Sequence, residues 1–187
     1  MRAGGNLAKP GKGRGMAGKA VFQREAFVDF FDEAIPLLRL HYAEIAHFKD
    51  IPLDVDVERY LQIERAGMLR IYTARLDGNL VGYAVFFIST NGHYKASLQA
   101  VQDVIYLDPA RRNSRIGLGL LDFCDAELRR EGVQVVMHHV KLAHPALGRI
   151  LSRKGYAPID VIYAKRLDVR EGQKGTTEHP STELIEV

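Results

Sequence analysis

The residues best placed to do chemistry lie between Leu107 and Gly119, in the run LDPARRNSRIGLG. Three arginines, Arg111, Arg112 and Arg115, stand among the turn-forming residues Asp108, Pro109, Asn113 and Ser114. Before them, Val104-Ile105-Tyr106-Leu107 is a β-type apolar run that Asp108-Pro109 closes. After them, Ile116, Leu120, Phe123, Cys124, Glu127 and Leu128 recur at helical spacing, with Gly132 positioned as a C-cap. A cationic loop therefore opens straight into a helix N-terminus. Unbonded N–H groups and the positive end of the macrodipole collect there, and both suit a phosphate. On the residues alone, a plain strand–loop–helix connection with solvated arginines is an equal reading.

Other titratable side chains fall on neighbouring segments. Asp103 lies on the strand that leads into the loop. His138 and His139 lie on a following strand, where alternation sends them to opposite faces, so only one can look inward. His41, Glu44 and His47 share helical i, i+3, i+6 spacing, but no further ligand stands nearby to complete a metal site. They read better as solvated or core-rim residues, with Glu44 and His47 able to line a groove. The single cysteine, Cys124, sits on the apolar face of its helix and reads as a buried structural thiol.

These residues have to be positioned by the rest of the chain. At 187 residues a single domain is expected, and the net charge of +3 is compatible with anionic ligands without requiring nucleic acid. Residues 1–19 are rich in glycine and lysine/arginine, contain no acid, and read as a disordered arm. The ordered domain is expected over 20–168, with a flexible tail over 169–187. One lone cysteine fits a reducing cytoplasm, and no apolar run is long enough to span a bilayer. Phe22–Phe48 reads as mostly helical, with Pro36 either kinking it or starting a second helix. Asp56 reads as the N-cap of a helix over Val57–Ala66. Leu69–Leu76 and Leu80–Ser89 read as strands joined by a tight Asp77-Gly78-Asn79 hairpin. Further strands are expected at Leu98–Leu107, Val133–Val140 and Ala157–Leu167, with a short helix over Pro145–Lys154.

The segment from Leu107 to Gly117, followed by Leu120-Leu121, resembles motif A of the GNAT acyltransferases. In that family a strand ending in V-x-P leads into Q/R-x-x-G-x-G/A and a leucine-rich helix start. Arg112 takes the Q/R position, Gly117 the final Gly/Ala, and Arg115 replaces the first glycine. DGNLVGYAVFF, Asp77–Phe87, resembles the family's second hairpin. The order strand, short helix, Lys154-Gly155-Tyr156 and last strand resembles its C-terminal end. The compact size also looks like the small GNATs of tailed phages and prophages.

The resemblance implies a mixed α/β fold. Its sheet would be mostly antiparallel with six to seven strands, helices on both faces and a V-shaped splay between the fourth and fifth strands. It implies an acetyl-CoA cosubstrate and no metal. The pantetheine arm would bond to the edge at Ile105, Tyr106 and Leu107. The pyrophosphate would rest on the amides of Arg112, Asn113, Ser114, Arg115, Ile116, Gly117, Leu118 and Gly119. The implied reaction is direct attack of an amine on the thioester, the acceptor being a small molecule, a protein lysine or a protein N-terminus. Asp103 and His139 are candidate proton acceptors. The family's usual tyrosine acid is replaced at Leu151 or Ser152; Tyr156 is a candidate donor in its stead, with Tyr163, Ser152 and bulk water as alternatives. Members of the family often dimerise, and nothing in these residues decides it. Two rival readings stand beside it: the departures at Arg115 and at the missing tyrosine suit a non-catalytic acyl-CoA-binding regulator, and the basic arm over residues 1–19 suits a nucleic-acid-binding protein.

Overall fold

A computed structural model describes residues 18–168. Most of the expected N-terminal arm and all of the expected tail lie outside those residues. The described chain forms one five-stranded sheet in the order β1-β2-β3-β4-β5. The strands are β1 (Ala20–Glu25), β2 (Leu69–Leu76), β3 (Asn79–Thr90), β4 (Leu98–Leu107) and β5 (Val135–Met137). The helices are α1 (Phe27–Ile45), α2 (Val57–Arg65), α3 (Ile116–Arg130) and α4 (Ala146–Arg153). The first four strands are antiparallel neighbours, and β5 runs parallel to β4. Among the described residues no helix is long and apolar enough to cross a membrane.

Strand alternation builds two cores. Tyr72, Ala74, Ala84, Phe86, Ile88 and Ala100 face Leu120, Cys124 and Leu128 of α3. Ile71, Tyr83, Val85 and Tyr106 face the other way, toward Phe27, Phe30, Ala34 and Leu37 of α1. The two-residue turn between β2 and β3 has Asp77 at φ 52° and Gly78 at φ 83°. Two successive positive φ values match the twist of the flanking strands, and the Asp-Gly pair supplies them.

Five expectations need correction. The sheet has five strands among the described residues rather than six to seven. Phe22 starts no helix: Ala20–Glu25 pairs with β2, in the register Phe22↔Ala74, and the helix begins only at Phe27. Pro36 begins no second helix; α1 runs on through it, with Phe30 and Ala34 before it and Leu37 and His41 after it all buried. The expected strand over Val133–Val140 shrinks to three residues. Ala157–Leu167 forms no strand. Its Ile159, Val161, Ile162 and Tyr163 stay exposed, since strand propensity is realised only where an edge and a face are there to receive it.

Candidate active site

β4 is paired on both sides only at its start. Gln99, Ala100 and Val101 align with Val135, Val136 and Met137, and there the parallel pairing ends. β4 continues to Leu107 on β3 alone, with Leu107 opposite Gly82. From Gln102 onward its outer edge is open, and no backbone bond joins it to residues 138–145. At the vertex of this splay the buried Gln102 accepts a bond from His138, Nδ1 to Oε1 2.7 Å. The Gln102 amide therefore holds the proton on Nδ1. The other nitrogen, Nε2, is buried with no partner among the described residues. Burial pushes this imidazole down to about 4, so it is neutral at ordinary pH. It packs edge-on against Tyr156, at 5.0 Å between centroids. His139, the neighbour expected to act, is exposed instead. Both histidines lie beyond the end of β5, and His138 is the one turned inward.

The open edge runs directly into the cationic loop. Asp108 accepts from the Ala110 amide and caps a single 3-10 turn, Pro109–Arg111. Several loop amides are already used: Arg112 N–H bonds Pro109 O, Ser114 N–H bonds Arg111 O, and Ile116 N–H bonds the Ser114 hydroxyl. The N–H groups of Asn113, Arg115, Gly117 and Leu118 meet no acceptor among the described residues. Gly119 is different. Its amide bonds Arg115 O, and a Cβ there would lie 2.5 Å from Phe22 Cζ. Its small size serves the packing of α3 on β1. The side chains of Arg111 and Arg115 are exposed, whereas Arg112 folds back from the loop toward α1.

On the α1–α2 side, Asp103 accepts from Tyr60 of α2 at 2.5 Å. Burial and the Asp103 carboxylate both raise the Tyr60 phenol, so it stays protonated and donates. A β-bulge interrupts the alternation here: Val85 aligns with Val104 and Phe86 with Gln102, leaving Asp103 unpaired. Asp103 thus meets Tyr60, Val104 and Tyr106 pack with the α1 core, and Ile105 packs with the α3 core. No feature of the sequence read alone marks this bulge.

Tyr156 reaches the opposite side, where its hydroxyl donates to Asp125 of α3 at 2.5 Å. Burial and Asp125 raise its pKa. Buried Leu151 and exposed Ser152 occupy α4. Cys124 is buried, which pushes its thiol up and keeps it unreactive.

The helix-spaced group on α1 disperses. His41 is buried, 3.1 Å through Nδ1 from the Tyr83 hydroxyl and stacked on Tyr106, and burial pushes it down to about 4. Glu44 pairs with Arg112. Among the described residues, no three His, Cys, Asp or Glu side chains come together as metal ligands.

Comparison with known proteins follows the same lines. No curated protein matches the sequence. An aminoglycoside N-acetyltransferase solved with CoA superposes with a TM-score of 0.63 at 14% identity, over 84% of this chain and 99% of that one. A ribosomal-protein-alanine N-acetyltransferase from Brucella melitensis biovar Abortus 2308 gives 0.59 at 21% identity, over 79% and 99%. A predicted acetyltransferase from Clostridium acetobutylicum, solved with acetyl-CoA, gives 0.59 at 16% identity, over 80% and 97%. At such identities these structures share the fold. Residues 30–154 match the acetyltransferase (GNAT) family, which uses acetyl-CoA. With two-thirds of its length inside that match, the chain belongs to the GNAT family of acetyltransferases.

Proposed function

We propose that this protein transfers an acetyl or short acyl group from acyl-CoA to a primary amine by direct attack within a ternary complex. The observation that carries this reading is the open edge of β4 over Gln102–Leu107, leading into the free amides at the start of α3. An open strand edge offers N–H and C=O groups to the two amides of pantetheine, as an added strand would. The amides of Asn113, Arg115, Gly117 and Leu118, at the positive end of α3, suit the diphosphate. An N–H near Leu107 is placed to hold the developing oxyanion.

The amine must arrive neutral at the thioester carbon. Asp103, held in place by the Tyr60 hydroxyl, takes the amine proton. A C–N bond forms, the C–S bond breaks, and the departing thiolate takes a proton from Tyr156 or from water. His139 is assigned no step. The lone buried thiol is compatible with the cytoplasm as the site of action.

The test pairs calorimetry with acetyl-CoA and a thiol-release assay over an amine panel. Saturable binding with thiol release supports the transferase. Binding without release from any amine supports a regulator that only holds acyl-CoA. No saturable binding at millimolar cofactor removes both.

A further inference from the structure

One side chain of the cationic loop is committed elsewhere. Arg112 does not reach toward the free amides beside it. Its guanidinium grips Glu44 of α1 at both oxygens, Nη1 to Oε1 2.7 Å and Nη2 to Oε2 2.6 Å. The Arg112 Nε donates to Leu107 O at 3.1 Å, and the guanidinium lies 5.1 Å over the Tyr106 ring. The Tyr106 hydroxyl donates to the same carboxylate at 3.3 Å, and His144 is close enough to bear on it electrostatically. Glu44 therefore stands where the open edge of β4 meets the loop, and it already holds a planar cation.

Two considerations make that cation exchangeable. The Arg112 and Glu44 side chains are 40% and 30% exposed, and an ion pair this wet is weak. A diphosphate seated on Asn113, Arg115, Gly117 and Leu118 would bring more negative charge within reach of the same guanidinium, which can fork onto phosphate oxygens as it now forks onto the carboxylate. Once Arg112 turns, Glu44 keeps the Tyr106 hydroxyl but loses its cation. A half-buried carboxylate in that state needs a positive partner.

We propose that Glu44 is the recognition carboxylate for a cationic amine acceptor, and that Arg112 fills it until the diphosphate of acyl-CoA draws the guanidinium away. The inference rests on the acyltransferase reading above and adds the acceptor's charge class. Acceptors carrying an alkylammonium or guanidinium group fit this seat, and arylamines, neutral near pH 7, do not use it. Glu44 binds the acceptor as its ammonium ion; the amine then loses one proton to solvent to become nucleophilic, and Asp103 takes the second as the C–N bond forms.

The experiment uses the full chain and two near-isosteric probes, cyclohexylamine as the cation and aniline as the neutral amine. With acetyl-CoA, Glu44→Gln raises KM for cyclohexylamine roughly 10- to 100-fold, the loss expected for a charge-assisted bond, and raises KM for aniline several times less. A second arm measures cyclohexylamine binding by calorimetry with no turnover. Wild type binds it with CoA present and not without, whereas Arg112→Ala binds it in both conditions. Equal KM changes for the two probes would overturn the proposal, as would wild-type amine binding that ignores CoA. Absence of thiol release with either probe would count against the transferase reading alone, since the calorimetric arm still decides the role of Glu44.

Discussion

The two halves of β4 obey different rules. From Leu98 to Val101 the strand has neighbours on both edges, and its side chains sit between packed layers. From Gln102 to Leu107 one edge is bare, a bulge breaks the alternation, and polar side chains gather: Gln102 with His138, Asp103 with Tyr60, Tyr106 with Glu44. The same ten residues thus act first as scaffold and then as site. Closing every backbone bond gives stability; leaving six residues open on one side gives a place for a ligand with amides of its own.

Four perturbations sharpen or break this contrast. The largest effect belongs to the scaffold. Phe86, fully buried opposite Gln102, lies on the boundary between the halves. Phe86→Ala should lower the unfolding free energy by about 3–5 kcal/mol in urea titrations; a loss near zero would mean that the boundary is soft. Next comes the far border of the sheet. Burial alone would raise the Glu25 carboxyl, but bonds from Arg75, Thr73 and Gln23 overcome that and hold it down to about 2. A folded pKa below the ordinary 4.5 means stabilisation present above that pH and lost on acidification through the folded value. Urea melts should therefore lose on the order of 3 kcal/mol between about pH 5 and pH 2, and Glu25→Gln should flatten that slope.

The third perturbation separates stability from binding. Leu118 is exposed in the first turn of α3. Leu118→Glu should add about 0.3–1 kcal/mol of stability through the helix dipole, seen as a small rise in Tm. The same charge should weaken acetyl-CoA about tenfold in calorimetry by repelling the diphosphate. Parallel changes in both would remove the assignment of those amides. The smallest effect is at α2, where Asp56 caps Arg59 N–H at 3.0 Å. Asp56→Ala should cost about 1 kcal/mol, and through Tyr60 it should disturb transfer more than cofactor binding.

Much of the scaffold was legible because its signals are local. Asp77-Gly78 dictates a hairpin, Asp56 a cap, and the spacing of Leu120, Cys124 and Leu128 a helix face, and each stands where its residues imply. The misreadings share a nonlocal cause. Phe22 is a strand residue only because β2 lies alongside, and Gly119 is small only because Phe22 occupies the space. Val133–Val140 has the composition of a full strand, yet only Val135–Met137 keeps β4 as a neighbour. At the site, the loop and Asp103 could be named from residue types. Tyr60 and the Glu44–Arg112 pair could not, because their partners lie 43 and 68 residues apart.

Asp103 has an importance its carboxylate does not explain. A strand assigns its side chains to two layers by odd and even count, and one surplus residue shifts that count for everything downstream. The bulge absorbs that surplus: Asp103 and Val104 both look toward α1 and α2, so Ile105 still meets α3 and Tyr106 still meets α1. Were the same ten residues to pair in strict alternation, Tyr106 would turn away from α1 and Ile105 would take its place against His41. Which helix meets the far end of β4 is thus decided by one peptide unit left outside the ladder.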